Sequence, residues 1–312
     1  MKPPGEPSIS VIMPAFNAAH YLTRALPPLI ALRDRGLIDE VIVVDDCSPG
    51  PETSETARRL GATVLRTPRN GGPGAARNLA AREARGDILW FVDADVVAHE
   101  TGPEKLRGAF GDVETGAVFG SYDDAPPEKN FASTYKNLVH RYYHQRARED
   151  SESFWSGCGA VRRTVLADLG GFEEWRMGRP TVEDVELGHR LRQAGWKIKL
   201  VPDFLGTHLK RWTLTEVIRT DIFLRAVPWS HLIISGRSVS NDLNVSTAER
   251  ARAVVAGLWA LSVAAAPVHP PFGVLAFLTL SGIVAAINTP LFVFFLEARG
   301  HDADYARMPA GI

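Results

Sequence analysis

The chain has 312 residues, of which 45% are hydrophobic and 23% are charged, and its formal net charge is −1. This composition predicts a folded protein with a sizeable core, and it argues against disorder and against a nucleic-acid partner. The two cysteines, Cys47 and Cys158, lack CxxC spacing, so we expect free thiols rather than a zinc site or a disulfide framework. The N-terminal segment has no apolar stretch of the kind that secretory signals carry.

The first hundred residues alternate between short apolar runs and stretches of helical length. Buried strands are predicted at residues 9–14, 41–46, 62–66 and 88–93. Helices are predicted between them, at residues 21–35, 52–60 and 74–84. Regular alternation of strands and helices predicts a doubly wound, mostly parallel α/β sheet with helices on both faces.

The pattern becomes mixed between residues 116 and 206. Strands are predicted at 117–120, 154–161 and 197–201, and helices at 130–148, 163–169 and 182–194. We expect this half to cover the open face of the site and to carry the acceptor-binding and catalytic groups.

The chain changes character after Trp212. Residues 214–224 and 228–234 have the composition of helices that lie on a membrane surface. Residues 253–296 contain no Lys, Arg, Asp or Glu, which predicts a transmembrane helical hairpin with its turn at 269–271. The alternative is a buried helical pair in a soluble domain. Arginines at both ends of the hairpin predict that the catalytic domain faces the cytoplasm at the inner membrane.

The triplet Asp93-Ala94-Asp95 follows the fourth predicted strand. In doubly wound sheets ligands bind beyond the carboxyl ends of the strands. Two carboxylates there can have different tasks. One can contact a ribose or a metal-bound water, and the other can ligate a Mg²⁺ or Mn²⁺ ion that also binds a diphosphate. A pair of solvated acids in a loop is the alternative.

Asp45 and Asp46 follow the second predicted strand, where carboxylates can accept hydrogen bonds from a base or a ribose. Capping of the helix at 52–60 is the alternative. A glycine-rich turn at residues 70–78 opens the next helix and contains Gly74 and Arg77. Arg77 is placed to pair with a nucleotide, or structurally with Asp45 or Asp93. This turn matches neither the dinucleotide fingerprint nor a P-loop, so both are disfavoured.

Two later clusters are candidates for chemistry. Glu183-Asp184 can supply a general base, although acids at a helix start also suit the helix dipole. In the segment 208–212, His208 can ligate a metal, Arg211 can steady a diphosphate and Trp212 can stack on a sugar. Each of these three residues is more often structural when considered alone.

Six segments in this order resemble family 2 glycosyltransferases of the GT-A fold, over about residues 8–212. They are VIMPAFN at 11–17, VVDDCS at 43–48, GAARN at 74–78, FVDAD at 91–95, SGCGAVR at 156–162 and GGF at 170–172. The segment 208–212 also resembles the QxxRW motif of processive members, with His208 in place of Gln, which argues against a processive polymer synthase.

The resemblance implies roles for individual residues. Asp45 and Arg77 would contact the base, Asp93 the ribose or a metal-bound water, and Asp184 with Glu183 would provide the base. Asp95, His208 and Asp93 would form the metal site for Mg²⁺ or Mn²⁺. The implied nucleotide-sugar set is Pro14, Ala15, Asn17, Asp45, Asp46, Gly74, Arg77, Asp93, Ala94, Arg211 and Trp212.

The predicted activity is inverting transfer from a nucleotide diphosphate sugar, by default a UDP-sugar, to a membrane-proximal or lipid-linked acceptor. A retaining transferase and a catalytically dead, membrane-anchored nucleotide-sugar-binding protein are the alternatives. A nucleotidyltransferase is disfavoured, because residues 15–18 lack the glycine-rich basic loop that it needs. The predicted domains are a catalytic domain at 1–212 with halves at 8–115 and 116–212, an interfacial segment at 213–250, a transmembrane hairpin at 251–298 and a cytoplasmic tail at 299–312.

Overall fold

The computed structural model describes residues 6–174, 182–234, 242–243 and 246–305. The chain divides into two compact units, residues 1–239 and residues 240–312. The first unit is built on a nine-stranded sheet with helices packed against it, as the sequence predicts. Residues 241 and 244 before the hairpin and Thr181 beside the acidic pair lie outside the described residues.

The nucleotide half of the first unit is a parallel sheet in the order β3-β2-β1-β4. Every residue of β1 and β4 is buried, which explains their continuous apolar sequences. The strand order reverses between β1 and β4, so the carboxyl ends of these strands form the switch point where ligands bind in such sheets. The strands are β1 (Ile9–Ala15), β2 (Glu40–Asp45), β3 (Thr63–Arg66) and β4 (Ile88–Val92).

Four helices connect the elements of this half. They are α1 (Ala19–Asp34), α2 (Glu52–Arg59), α3 (Gly72–Glu83) and α4 (Gly102–Ala109). Helix α1 buries Leu22, Leu26 and Leu29 at helical spacing in the core. Helix α3 starts two residues earlier than predicted, at Gly72, whose φ of +82° is readily reached by glycine. Helix α4 is an addition to the predicted elements.

Five further strands extend the sheet and make it mixed. They are β5 (Val96–Ala98), β6 (Thr115–Tyr122), β7 (Asp150–Ser151), β8 (Cys158–Arg162) and β9 (Lys197–His208). Strand β8 joins β4 and β6 by antiparallel pairing, whereas β6 and β9 are parallel. Strand β9 continues well past the predicted end at Val201. Its last residue, His208, therefore pairs with Val96, next to Asp95.

Three helices pack in the acceptor half: α5 (Phe131–Arg146), α6 (Arg163–Asp168) and α7 (Glu183–Gln193). Helix α5 starts where the Asn130 side chain accepts the Ser133 amide hydrogen. Helix α7 carries Glu183 and Asp184 in its first turn, where negative charge is favoured by the helix dipole.

A helical segment follows β9, as predicted. Helix α8 (Leu214–Arg219) begins with a capping box between Thr213 and Glu216, passes through a π-helical stretch at Thr220–Ala226, and continues as α9 (Val227–Ile234). Large apolar side chains are exposed along it: Leu214, Ile218, Ile222, Phe223, Leu224, Val227 and Ile234.

The second unit consists of helices α10 (Thr247–Ala265) and α11 (Pro270–Tyr305), which pack together. The indole N–H of Trp259 donates to Ser281 Oγ at 2.9 Å, and the Trp259 ring lies beside that of Phe277. The helical hairpin is therefore present.

One helix among the described residues is long and apolar enough to cross a membrane. It is the Pro270–Ala298 part of α11, which has a mean hydropathy of 1.9 and is scarcely buried. Helix α10 does not have the length and composition of such a span, so the prediction that it crosses a membrane stays a prediction. The reason is that α10 begins at Thr247 and includes Glu249, Arg250 and Arg252, which leaves an uncharged part well short of the roughly 20 residues that a span needs.

Asn78 couples the two halves of the first unit through the backbone of Phe172. Its amide donates to Phe172 O at 2.9 Å and accepts from Phe172 N at 2.8 Å. Asn78→Ala leaves both buried backbone groups unpaired, so we expect the free energy of unfolding to fall by about 2–3 kcal/mol. Arg82→Ala, at an exposed position of the same helix, is the matched control. Equal denaturant midpoints for the two variants would contradict this coupling.

Candidate active site

The centre of the site is the guanidinium of Arg77, whose side chain is only 3% exposed. It donates to Asp93 Oδ1 at 2.8 Å and to Glu183 Oε1 at 3.2 Å, and it lies over the ring of Phe172. Arg77 Nε has no hydrogen-bond partner among the described residues. One buried cation thus joins α3, the end of β4 and the start of α7. The structural pairing with Asp93 is present, and the predicted base contact of Arg77 stays a prediction.

Asp93 and Asp95 have different environments. Burial raises the pKa of Asp93, with the charge of Arg77 opposing and the charge of Asp95 adding to the rise. Burial also favours the neutral form of Asp95, but its hydrogen bond with His208 and the charges of His208 and Lys210 outweigh burial and lower its pKa. Asp95 is therefore the carboxylate better suited to carry the negative charge that a cation requires.

His208 and Asp95 meet where β9 pairs with β5. The His208 Nε2 atom lies 3.5 Å from Asp95 Oδ2, and the Leu209 amide donates to the Asp95 carbonyl. The imidazole of His208 stacks on the ring of Tyr122, with 4.6 Å between centroids. Tyr122 thus fixes the plane of the imidazole from one side.

A divalent cation fits the donor atoms at this corner. Among the described residues no group of three His, Cys, Asp or Glu side chains gathers as a complete metal site. Mg²⁺ in nucleotide sites is typically held by one or two carboxylates, with substrate phosphates and water completing the shell. Asp95 and His208 match that incomplete protein shell, and Asp93 remains near enough to influence the charge of Asp95.

Glu183 and Asp184 lie side by side at the start of α7 but face different partners. Glu183 pairs with Arg77 and is buried. Asp184 lies 3.4 Å from both the amide nitrogen and the hydroxyl of Ser156, and it accepts the Val185 amide hydrogen. Asp184 is the more accessible of the two acids, so it is the better candidate for contact with a substrate.

Asp45 and Asp46 are fully engaged inside the protein. Asp45 accepts hydrogen bonds from the Ser48 amide, the Ser54 hydroxyl and Arg66, and it has no exposed surface. The predicted base contact of Asp45 stays a prediction, and these internal hydrogen bonds would compete with it. The structure instead has Asp45 holding the turn after β2 and orienting Arg66, which is partly exposed.

Asp46 organises the glycine-rich turn that leads into α3. Its carboxylate accepts from the Thr67 hydroxyl and from the amides of Gly71 and Gly72. Neither acid caps α2, whose N-cap residue is Pro51. Each of the two acids thus has its own structural task, Asp45 in the turn after β2 and Asp46 in the glycine-rich turn.

The remaining nucleotide-side residues contribute mainly through the backbone. Pro14 and Ala15 are buried in β1, Ala94 is buried in the acidic triplet, and a Cβ at Gly74 would meet the Glu173 carbonyl at 2.7 Å. Asn17 is exposed and has a φ of +49°, and Cys47 has a φ of +59° at the end of the next strand. Such left-handed residues concentrate at functional sites.

In the segment after His208, the two residues predicted to contact the donor lie in different environments, and a third residue, Lys210, is also relevant. Trp212 is buried against Ala132 and Val217, so its ring offers little surface for stacking on a sugar. Arg211 is 75% exposed and lies 3.9 Å from Glu128, so its contact with a diphosphate stays a prediction. Lys210 affects the charge of Asp95 instead. In extended backbone, residues two positions apart face the same side. The spacing of His208 and Lys210 in the sequence could therefore have indicated that Lys210 lies near Asp95.

Glu183 makes folding stability depend on pH. Burial raises its pKa to about 7, with Arg77 opposing and Asp184 adding to the rise. A carboxyl group with a higher pKa in the folded state binds a proton on folding, so its contribution is greatest below its unfolded pKa and is lost as the pH rises through about 7. We expect the free energy of unfolding of Glu183→Gln, measured in denaturant titrations, to rise relative to that of the parent as the pH increases from about 5 to about 8. Curves of unfolding free energy against pH that run parallel for variant and parent would contradict this. Glu83→Gln, at an exposed position of α3, is the control.

The sequence matches the profile of Glycosyl transferase family 2 over residues 10–170. A pre-mycofactocin glycosyltransferase of Mycobacterium tuberculosis is 30% identical over 234 residues, which cover 71% of this chain and 47% of that protein. The probable glycosyltransferase YdaM of Bacillus subtilis is 27% identical over 63% of this chain and 49% of that protein. The chain thus spans about half the length of these curated relatives.

Solved structures share the fold. A mannosyltransferase of Pyrobaculum calidifontis, solved with GDP-Man and Mn²⁺, has a TM-score of 0.52 and 21% identity, and the match covers 92% of this chain and 88% of that chain. A glucosyl-3-phosphoglycerate synthase of Mycobacterium tuberculosis, solved with Mn²⁺ and UDP-Glc, has a TM-score of 0.50 and 21% identity over 74% of this chain and 79% of that one. With the family profile matching just over half of the sequence, the chain belongs to Glycosyl transferase family 2, a family of sugar-transferring enzymes with the GT-A fold.

Proposed function

We propose that this chain is a metal-dependent, inverting glycosyltransferase that moves a sugar from a nucleotide diphosphate donor to a hydroxyl group near a membrane. The observation that carries the proposal is a connected group of charges at the switch point of the sheet. Buried Arg77 pairs with Asp93 and is influenced by the charge of Asp184, and Asp95, two residues from Asp93, contacts His208. Family membership supports a nucleotide sugar as the donor. UDP is the first donor nucleotide to test, and GDP the second, because one of the solved neighbours holds GDP-Man.

The donor diphosphate would bind beside Asp95 and His208, bridged by Mg²⁺ or Mn²⁺. When bound, the divalent ion would neutralise the charge that develops on the departing nucleoside diphosphate. Lys210 would add a fixed positive charge at the same place, in the role first predicted for Arg211. Asp93 is already paired with Arg77, so we assign it a contact with the donor ribose or with a water molecule.

Asp184 would act as the general base. Its carboxylate would take the proton of the acceptor hydroxyl while that oxygen bonds to the anomeric carbon. The bond from the anomeric carbon to the diphosphate breaks at the same time, and its electron pair leaves with the diphosphate. Ser156 and the Val185 amide orient this carboxylate, and Glu183 keeps Arg77 in place behind it.

A single displacement inverts the configuration at the anomeric carbon, whereas a retaining transferase preserves it. The β-anomer formed from an α-linked donor, identified by proton NMR of the product, would support inversion. An α-linked product would assign the chain to the retaining class instead.

The membrane part of the proposal is supported by two features. Helix α11 is apolar enough to cross a bilayer, and the helices between residues 214 and 234 expose large apolar side chains. We infer a catalytic domain at 1–212 on the cytoplasmic side of an inner membrane, an interfacial segment after it, and an anchor in the region 251–298. Placing tags at each end and testing their access from either side would check this arrangement.

Asp184→Asn keeps the shape of the side chain but removes the base. We expect kcat to fall by about 10²- to 10⁴-fold while the donor KM stays close to the parent value. Asp168→Asn, the same change at an exposed position of α6, serves as the control. A similar kcat for Asp184→Asn and the parent enzyme would show that another group accepts the proton.

Asp95→Ala should remove metal-dependent donor binding. We expect UDP- and GDP-sugars to raise the melting temperature of the parent chain only with Mn²⁺ present, and to have no such effect on the variant, because a ligand stabilises only a protein that binds it. A metal-dependent shift that survives Asp95→Ala would refute the metal assignment. A metal-dependent shift in the parent without any transfer of the sugar would favour the catalytically dead alternative.

A further inference from the structure

One face of helix α5 binds the backbone at the end of β6. Three side chains at helical spacing each donate a hydrogen bond to a carbonyl oxygen of that backbone. Asn137 donates to Asp123 at 2.7 Å, Arg141 to Tyr122 at 3.0 Å and His144 to Gly120 at 2.7 Å. Tyr122 is also paired with Gly206 of β9 in the sheet. The backbone that carries Tyr122 is therefore held both by α5 and by the sheet.

The ring of Tyr122 is enclosed by other rings, and the residue is only 9% exposed. The ring of His140, on α5, lies 4.4 Å from it, and Trp155 contacts it edge-on with 5.0 Å between the ring centroids. Side chains that are packed this closely keep one orientation. Tyr122 thus presents a flat surface in a fixed position to a further neighbour, His208.

The imidazole of His208 is stacked on that surface. The two ring planes are only 13° apart, and the centroids are 4.6 Å apart. Trp212 is a second aromatic neighbour of His208, with 6.4 Å between the centroids, and its amide donates to Ser133 Oγ of α5 at 2.8 Å. Helix α5 therefore holds the backbone of both of these neighbours.

The orientation of the His208 imidazole depends on these ring contacts. Histidines that bind a metal are usually oriented by a hydrogen bond from the ring nitrogen that does not face the metal. In His208, Nε2 is the nitrogen that faces Asp95, at 3.5 Å from Oδ2. In the part of the chain that the structure describes, Nδ1 of His208 has no hydrogen-bond partner. The near-parallel stack on Tyr122 is the closer of the two ring contacts, so it is the contact that sets the plane of the imidazole.

We propose that Tyr122 is a positioning residue for His208, and that its ring fixes the plane in which Nε2 of the imidazole faces Asp95 and a divalent ion bound there. Tyr122 acts through His208 and is not itself a ligand. Helix α5 supports this role, because Arg141 holds the Tyr122 backbone. The inference rests on the proposed function, since it requires that His208 ligates the ion.

The test measures Mn²⁺ binding to the full chain in detergent micelles, with UDP and with GDP present, by electron paramagnetic resonance. We expect Tyr122→Leu to raise the Kd for Mn²⁺ by about tenfold, because partners that orient a metal ligand are worth roughly 10- to 100-fold in affinity. The nitrogen coupling between His208 and Mn²⁺ should weaken in the same variant. Tyr122→Phe keeps the ring, so its Kd and its nitrogen coupling should match those of the parent.

Two further variants separate positioning from a general loss of packing. Phe110→Leu removes a buried ring at the end of α4 and is the matched control, which should lower the melting temperature without changing the Kd for Mn²⁺. Arg141→Met removes the hydrogen bond to the Tyr122 carbonyl from a partly exposed side chain, so it loosens the stack without opening the core. We expect the Kd of Arg141→Met for Mn²⁺ to rise by about threefold, in keeping with the loss of one hydrogen bond.

Three results would overturn the positioning role and leave the metal site intact. They are a parent-like Kd and nitrogen coupling in Tyr122→Leu, a rise in Kd in Tyr122→Phe equal to that in Tyr122→Leu, and a rise in Phe110→Leu equal to that in Tyr122→Leu. If Tyr122→Leu does not fold, an unchanged Kd in Arg141→Met overturns the role in its place. A parent whose Mn²⁺ complex shows no nitrogen coupling would refute His208 as a ligand of the ion, and the positioning role with it.

Discussion

The site depends on the buried guanidinium of Arg77. A charge taken out of water must be compensated by opposite charge, because an uncompensated buried ion costs several kcal/mol. Asp93 and Glu183 provide that compensation from two different halves of the sheet, and Glu183 is separated from Arg77 by 106 residues. The parallel nucleotide half and the mixed acceptor half are therefore fixed against each other at the place where substrates would meet.

This pairing also separates the roles of the acids. Asp93 and Glu183 are engaged by Arg77, so they are the less available members of the cluster. Asp95 and Asp184 lie on either side of them, one beside His208 and the other beside Ser156. Asp95 is therefore the carboxylate suited to bind a cation, and Asp184 is the one suited to accept a proton. Asp93 and Glu183 stay paired with Arg77.

Much of the fold could be predicted from the sequence, because strands buried on both faces leave continuous apolar runs such as those of β1 and β4. The placement of Asp93 and Asp95 was predictable for the same reason, since both follow such a run. The partner of Arg77 on α7 was not predictable, because nothing local in the sequence encodes a contact between residues so distant. The end of β9 was also missed, since Pro202 and Asp203 are unusual inside a strand.

Other predictions rest on sequence patterns that have two physical meanings. A carboxylate at a strand end looks the same in sequence whether it binds a ligand or, like Asp45, satisfies the loop around it. An uncharged run of residues suggests a membrane span in the sequence. The helix α10 that contains such a run also includes the charged residues before it, Glu249, Arg250 and Arg252. The exposure of Arg211 and the burial of Trp212 depend on which side of the backbone each faces after β9 ends.

The central claim is that the Asp95–His208 corner holds a divalent ion together with the donor diphosphate. Pulsed electron paramagnetic resonance of Mn²⁺ bound with the nucleoside diphosphate tests it most directly, because the method detects nuclei that coordinate the metal. We expect phosphorus couplings from the diphosphate and one nitrogen coupling that disappears in His208→Gln. Phosphorus couplings without the nitrogen coupling, or a nitrogen coupling that persists in His208→Gln, would contradict it.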